Sequence, residues 1–146
     1  GVPAPAPPDF TVIVDGPNVA YARQNFVGGG FSYHQIDLVI AGLRAEGERV
    51  LLVLPHKYTQ TVVPNHARYT GSGACAQHEV SVEERALLDK WTAEGILVVT
   101  PIGANDDWYW MLGSVCRDNV QARVVSNDQM RDHRLALLEP RPVLRW

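Results

Sequence analysis

The sequence of 146 residues predicts an α/β domain in which a parallel β-sheet is sandwiched between helices on both faces. Short apolar runs typical of buried strands alternate along the chain with segments of helical periodicity. Turn and capping residues separate these segments. This alternation predicts a parallel sheet covered on both faces by helices, with right-handed crossovers. The length fits one domain with a full hydrophobic core.

Four strands and four helices are predicted. The strands cover residues 10–14, 49–55, 96–100 and 122–126, and the helices cover 33–45, 82–94, 106–117 and a last segment from 128. In the first helix Ile36, Val39, Ile40 and Leu43 fall on one face. The second helix begins with the capping-box spacing of Ser81 and Glu84, and Gly95 ends it.

The remaining segments are predicted to be irregular. Residues 1–9 are rich in proline and indicate a linker, so a domain at 10–146 cut from a longer protein is expected. "DGPN" at 15–18 is predicted to be a turn. Residues 56–80 are polar without a clear period, which favours a long surface loop.

Composition limits the classes of function. The formal net charge of −3 argues against a free-standing, strongly basic nucleic-acid binder, but a nuclease with a carboxylate metal site remains compatible with it. The two cysteines are far apart in sequence, which indicates a reducing compartment. No apolar run could span a bilayer and no secretory signal is present, so an intracellular protein without membrane association is expected.

Carboxylates follow three of the four predicted strands. Asp15 follows the first strand, Asp106 and Asp107 the third, and Asp128 the fourth. Parallel strands end at the same edge of a sheet, where ligand sites form. Four carboxylates brought together there would repel one another. The pattern therefore favours a Mg²⁺ site, since this ion prefers oxygen ligands and supports phosphodiester cleavage.

The alternative for each aspartate alone is simpler. An aspartate at the start of a helix is most often a cap, and an Asp-Gly pair after a strand is a common turn. It is the occurrence at three strand ends that favours the metal site. His133 is open to a site role or a structural one.

The motifs together resemble the metallonuclease domain of protein-only RNase P, within the NYN/PIN-like nuclease group with its Rossmann-like fold. The matching stretches are "VDGPNVA", "QNF", "LLVLPHK", "LLDKWTAEGILVVTP", "NDDWYWM", "VSNDQMRDH" and the closing "RW". The resemblance implies removal of the 5′ leader of precursor tRNA with Mg²⁺ or Mn²⁺, leaving a 5′-phosphate on the tRNA. It implies that the catalytic metal ligands are Asp15, Asp106, Asp107 and Asp128.

The resemblance also implies supporting residues and partners. Asn18, Arg131, Asp132 and His133 match the family's motifs, and Arg131 is expected to contact the substrate backbone. Such domains usually work beside a pentatricopeptide-repeat RNA-binding domain, which these residues do not contain. The mitochondrion, the plastid and the nucleus are all compatible locations. Two alternatives stay open: another NYN nuclease acting on messenger RNA stem-loops, and a catalytically silent RNA-binding module.

Overall fold

The computed structural model describes residues 10–26, 28–65, 76–104 and 122–126. The strands in this part of the chain are β1 (Val12–Asp15), β2 (Val50–Pro55), β3 (Val62–Asn65), β4 (Ala76–Glu79), β5 (Leu97–Thr100) and β6 (Arg123–Val125). The helices are α1 (Gly16–Tyr21), α2 (Tyr33–Ala45) and α3 (Val82–Ala93), with a 3₁₀ helix at His56–Thr59. None of the helices described is long and apolar enough to cross a membrane.

The predicted parallel sheet is confirmed. Its order is β5-β2-β1-β6, and all neighbours run parallel. Each of its strands matches a predicted one, with the bounds moved by one or two residues. The chain steps from β1 to β2 and β5 on one side, then returns to β6 on the other side of β1. The order therefore reverses direction between β1 and β6.

The core on one side of the sheet is formed by the three helices. Val12, Val14, Leu52 and Leu54 pack there against residues of α1, α2 and α3. The alternate strand residues Ile13, Leu51 and Val53 belong to a second cluster, since successive side chains point to opposite faces. The helices predicted at 106–117 and from 128 lie outside the described residues, as does the predicted linker at 1–9.

Helices α2 and α3 are the helices that the sequence predicted. Ser32 caps α2 by accepting a hydrogen bond from the backbone of Gln35, and Ile36 and Ile40 are buried. The predicted capping box of α3 is formed in both directions between Ser81 and Glu84. Gly95 follows α3 with a φ of 70°, the left-handed conformation in which glycine commonly ends helices.

The turn predicted at 15–18 is wrong, because the chain enters α1 at Gly16. Pro17 lies in the first turn of this helix, where its fixed φ is suitable and its missing N–H costs nothing. The helix has six residues, which is too short for apolar periodicity to reveal. Its stability comes instead from packing, since Val19 and Ala20 are buried in the core.

The long loop predicted at 56–80 is also wrong in part. After the 3₁₀ helix, β3 and β4 form an antiparallel pair in register from Val62↔Glu79 to Asn65↔Ala76. Val63 is fully buried in the core, and the hydroxyl of Tyr21 in α1 donates a hydrogen bond to the carbonyl of Pro64 over 3.1 Å. Two four-residue strands, separated by ten residues, give too little alternation for the sequence to predict them.

The buried Tyr33 hydroxyl makes stability sensitive to alkaline pH. It donates a 2.7 Å hydrogen bond to the carbonyl of Tyr58, and burial, with a smaller effect of Glu84, raises the pKa of Tyr33 well above its usual value. In the unfolded chain this hydroxyl ionises near pH 10. Stability from this group is therefore complete below pH 10 and falls as the pH rises further.

We expect the difference in free energy of unfolding between wild type and Tyr33→Phe to shrink by about 1 kcal/mol when the pH rises from 8 to 11. At pH 8 the variant should be less stable, because it leaves a buried carbonyl without its donor. Urea unfolding at the two pH values measures both quantities. A constant difference between the two proteins would contradict the prediction.

Candidate active site

Asp15 is the last residue of β1 and is 1% exposed. Its backbone occupies the N-cap position of α1, yet its side chain makes no capping hydrogen bond. The Oδ2 atom instead accepts a hydrogen bond of 2.6 Å from Asn18 Nδ2 and one of 2.7 Å from Ser126 Oγ. The capping alternative therefore fails for Asp15, whose carboxylate is held by one residue of α1 and by the residue that follows β6.

Helix and sheet geometry bring the two donors to Asp15. Asn18 lies three residues along the chain, so the start of α1 brings its amide back over the end of β1. Ser126 follows β6, whose Val125 is in register with Val14, and this register places Ser126 beside Asp15. The sequence predicted Asn18 as a site residue but not Ser126. The signal that could have found it is its position directly after an apolar strand.

Gly16 allows α1 to begin directly after the carboxylate. A Cβ atom at this position would lie 2.4 Å from Leu54 Cδ2 and 2.7 Å from the carbonyl oxygen of Val53. The carbonyl belongs to β2 and cannot move without disturbing the sheet. Residue 16 must therefore lack a side chain for the helix to start here.

A cleft of about 320 Å³ opens beside Asp15, where the strand order reverses between β1 and β6. It is lined by Asn18, Val19, Ala22, Arg23, Gln35, Val39, Val125 and Ser126. In open parallel sheets, ligands bind outside the carboxyl ends of the strands at such a reversal. The cleft therefore occupies the place where this fold class binds its ligands.

The other predicted site residues lie outside the described part of the chain. They are Asp106, Asp107, Asp128, Arg131, Asp132 and His133. The strands that precede them, β5 and β6, run parallel to β1 and so end at the same edge as Asp15. At the end of β5 the buried Thr100 hydroxyl has no hydrogen-bond partner among the residues described. The convergence of all four aspartates stays a prediction.

The described groups around Asp15 carry oxygen atoms of the kind that bind a hard divalent cation. The carboxylate, the Asn18 amide and the Ser126 hydroxyl supply oxygen atoms, which Mg²⁺ and Mn²⁺ prefer. Within the described ranges no group of three or more histidine, cysteine, aspartate or glutamate residues is present that could hold a metal. Asp15 is thus the one predicted ligand whose surroundings the structure describes, and those surroundings suit the ion.

Comparison with known proteins identifies the family. Residues 9–139 match the family model described as the Zc3h12a-like ribonuclease NYN domain, and the chain belongs to this family. It is 33% identical over 141 residues to proteinaceous RNase P 2 of Arabidopsis thaliana. It is 32% identical over 137 residues to the chloroplastic/mitochondrial proteinaceous RNase P 1 of the same plant. The resemblance drawn from the sequence motifs is confirmed.

The fold agrees with a solved structure of the same group. The crystal structure of the nuclear proteinaceous RNase P 2 from Arabidopsis superposes with a TM-score of 0.67 at 32% identity over 90% of this chain. This chain covers 24% of that structure and 21–23% of the curated relatives' lengths. The match therefore supports the nuclease fold, whereas most of each relative has no counterpart here.

We expect Gly16→Ala to lower the free energy of unfolding by about 1–3 kcal/mol, because the new methyl group overlaps Leu54 and the Val53 carbonyl. Gly42→Ala is the matched control, since nothing lies within 4 Å of its added Cβ in α2. That control should gain about 0.5–1 kcal/mol from helix propensity. Urea unfolding of both variants tests the contrast, and equal effects at the two positions would contradict it.

Proposed function

We propose that this chain is the catalytic domain of a metal-dependent endoribonuclease that removes the 5′ leader of precursor tRNA. The observation that carries the proposal is the buried carboxylate of Asp15, held by Asn18 and Ser126 beside a cleft at the strand reversal. The family is that of ribonuclease NYN domains, and the relatives similar over nearly the whole chain are named as RNase P proteins. Together these favour hydrolysis of an RNA phosphodiester.

The proposed roles follow from position. Asp15, with Asp106, Asp107 and Asp128, would hold Mg²⁺ or Mn²⁺. When bound, such an ion activates water at neutral pH and neutralises charge on the leaving oxygen. Asn18 and Ser126 fix the Asp15 carboxylate by donating to Oδ2, so the side chain is oriented before substrate arrives. Arg131, Asp132 and His133 are assigned supporting or substrate contacts from their motif positions alone.

The proposed partners follow from the size of the relatives. Since this chain matches less than a quarter of their length, tRNA recognition is assigned to a further RNA-binding domain, of the pentatricopeptide-repeat type that the resemblance implies. The product would be a tRNA with a 5′-phosphate. A location in the mitochondrion, plastid or nucleus stays a prediction from the resemblance.

We expect Asp15→Asn to lower the rate of cleavage of a 5′-labelled precursor tRNA in Mg²⁺ by at least about 100-fold, because it removes a charged metal ligand. Asp89→Asn is the matched control, as this aspartate lies exposed on α3 away from the cleft. Single-turnover assays with excess enzyme compensate for weak tRNA affinity of the isolated chain. Circular dichroism confirms that both variants are folded.

The substrate is tested in the same assay. Cutting at the mature 5′ end, lost with EDTA and restored by Mg²⁺, is the expected result. Equal activity of Asp15→Asn would refute its role. Efficient cutting of a messenger RNA stem-loop in preference to precursor tRNA would support the other NYN activity. No cutting of either RNA by the folded wild type, alone or joined to the proposed RNA-binding domain, would leave the silent binding module.

We also expect metal binding to be measurable without RNA. Millimolar Mg²⁺ should raise the melting temperature of the wild type by a few degrees, since a ligand that binds only the folded state stabilises it. The increase should be absent in Asp15→Asn and unchanged in Asp89→Asn. Differential scanning calorimetry with EDTA as baseline makes the measurement. An equal increase in all three proteins would place the ion elsewhere.

A further inference from the structure

The cleft shares two residues with the Asp15 site. Asn18 and Ser126 line the cleft, and both donate hydrogen bonds to Asp15 Oδ2. A group in the cleft therefore lies one side chain away from the carboxylate. The volume of the cleft, about 320 Å³, is at the lower end of the range of small-ligand sites, roughly 300–1,000 Å³. This space suits one nucleotide unit rather than a folded RNA element.

The described walls of the cleft combine an apolar surface with a cation. Val19, Ala22, Val39 and Val125 provide the apolar part, and Arg23 is the one charged residue among the described residues that line the cleft. A nucleotide has this same division, with a base and sugar that bury apolar surface and a phosphate that binds a guanidinium. Gln35 also lines the cleft, but its amide nitrogen is already engaged by backbone carbonyls.

The backbone at Arg23 is held in an uncommon conformation. Its φ of 59° lies in the left-handed region, which residues other than glycine, asparagine and aspartate seldom adopt. Gln35 fixes this turn by donating from Nε2 to the carbonyls of Val19, at 2.5 Å, and Ala22, at 2.8 Å. Gln24 donates in turn to Gln35 Oε1 over 3.2 Å. Such strain occurs mostly at functional sites, where surrounding contacts over-determine it.

Arg23 differs from two other arginines in the described ranges in having no partner there. Arg44 pairs with Glu94, and Arg123 pairs with Glu48. In the described ranges Arg23 has neither an ion pair nor a hydrogen bond from its guanidinium, and its side chain is exposed at the cleft. In a chain with a net charge of −3, an unpaired cation at the cleft that Asn18 and Ser126 also line is suited to contact an anion.

We propose that this cleft binds the nucleotide adjacent to the scissile phosphate of the RNA, with Arg23 contacting that nucleotide's own phosphate. Its base or sugar packs on Val39 and Val125. The inference rests on the proposed function for the identity of the RNA, while the cleft itself can be tested without cleavage. Arg23 is a substrate-binding residue here, because it contacts the phosphate next to the reacting one.

The kinetic test compares Arg23→Gln with Arg44→Gln, which removes the same charge from the surface pair with Glu94. Both residues at 23 have a Cβ, so the backbone strain is unchanged. In single-turnover cleavage of precursor tRNA with Mg²⁺, Arg23→Gln should raise the half-saturating enzyme concentration about tenfold. The maximal rate should stay within about twofold. In a plot of log affinity for the RNA against log salt concentration, the slope for Arg23→Gln should be shallower by about 0.7–0.9, as expected for the loss of one phosphate contact.

Further variants separate charge from structure. Arg23→Lys should recover part of the affinity, since it keeps the charge without the planar fork. Arg23→Gly relieves the positive φ and should stay folded, yet lose affinity as Arg23→Gln does. If Arg23→Gln matched Arg44→Gln in half-saturation and salt slope while wild type cleaved normally, this inference would be overturned and the proposed function would stand.

A binding experiment tests independently of cleavage whether the cleft binds a nucleotide. Adenosine and uridine 5′-monophosphate are titrated into the chain, with the methyl groups of Val39 and Val125 followed by NMR. Chemical-shift changes of both valines in wild type, with an affinity for the nucleotide at least fivefold weaker in Arg23→Gln, support binding in the cleft. This result holds even if wild type fails to cut precursor tRNA. No valine shift, or an equal response to inorganic phosphate at equal concentration, overturns it.

Discussion

The buried carboxylate of Asp15 is the constraint on which the rest of this site depends. A charge without contact with water is costly unless hydrogen bonds replace its solvation. Here the donors come from α1 and from the residue after β6, so both must meet the end of β1. The parallel register of β6 and the immediate start of the helix meet that requirement. It also excludes a side chain at Gly16, because the helix approaches the Val53 carbonyl closely.

Much of the fold could be predicted because its signals are local. The helical face of Ile36 and Ile40 and the capping pair Ser81 and Glu84 are each contained within one short stretch of chain. The apolar runs of the four sheet strands are equally local. Asp15 was predicted as a site residue for the same reason, since a carboxylate directly after a buried strand is visible without knowing which strand lies beside it.

The features that could not be predicted depend on contacts between distant residues. Ser126 is placed by the register of β6 on β1, 111 residues from its partner Asp15. The β3–β4 pair is stabilised by its mutual hydrogen bonds and by burial of Val63, which no periodicity reveals. The left-handed turn at Arg23 is held by Gln35, twelve positions later in the sequence, so neither residue alone indicates the cleft. Local propensity predicts structure poorly wherever tertiary contacts of this kind determine the conformation.

The β3–β4 pair gives the domain a site where chain length can vary. Its two strands are fixed to each other by register and to α1 by the hydrogen bond from Tyr21 to Pro64, so residues 66–75 join two anchored ends. Lengthening such a connection costs only loop-closure entropy, which grows slowly with length. Insertions between these two strands are therefore compatible with the parallel sheet. The domain can gain chain length there without any change in the residues around Asp15.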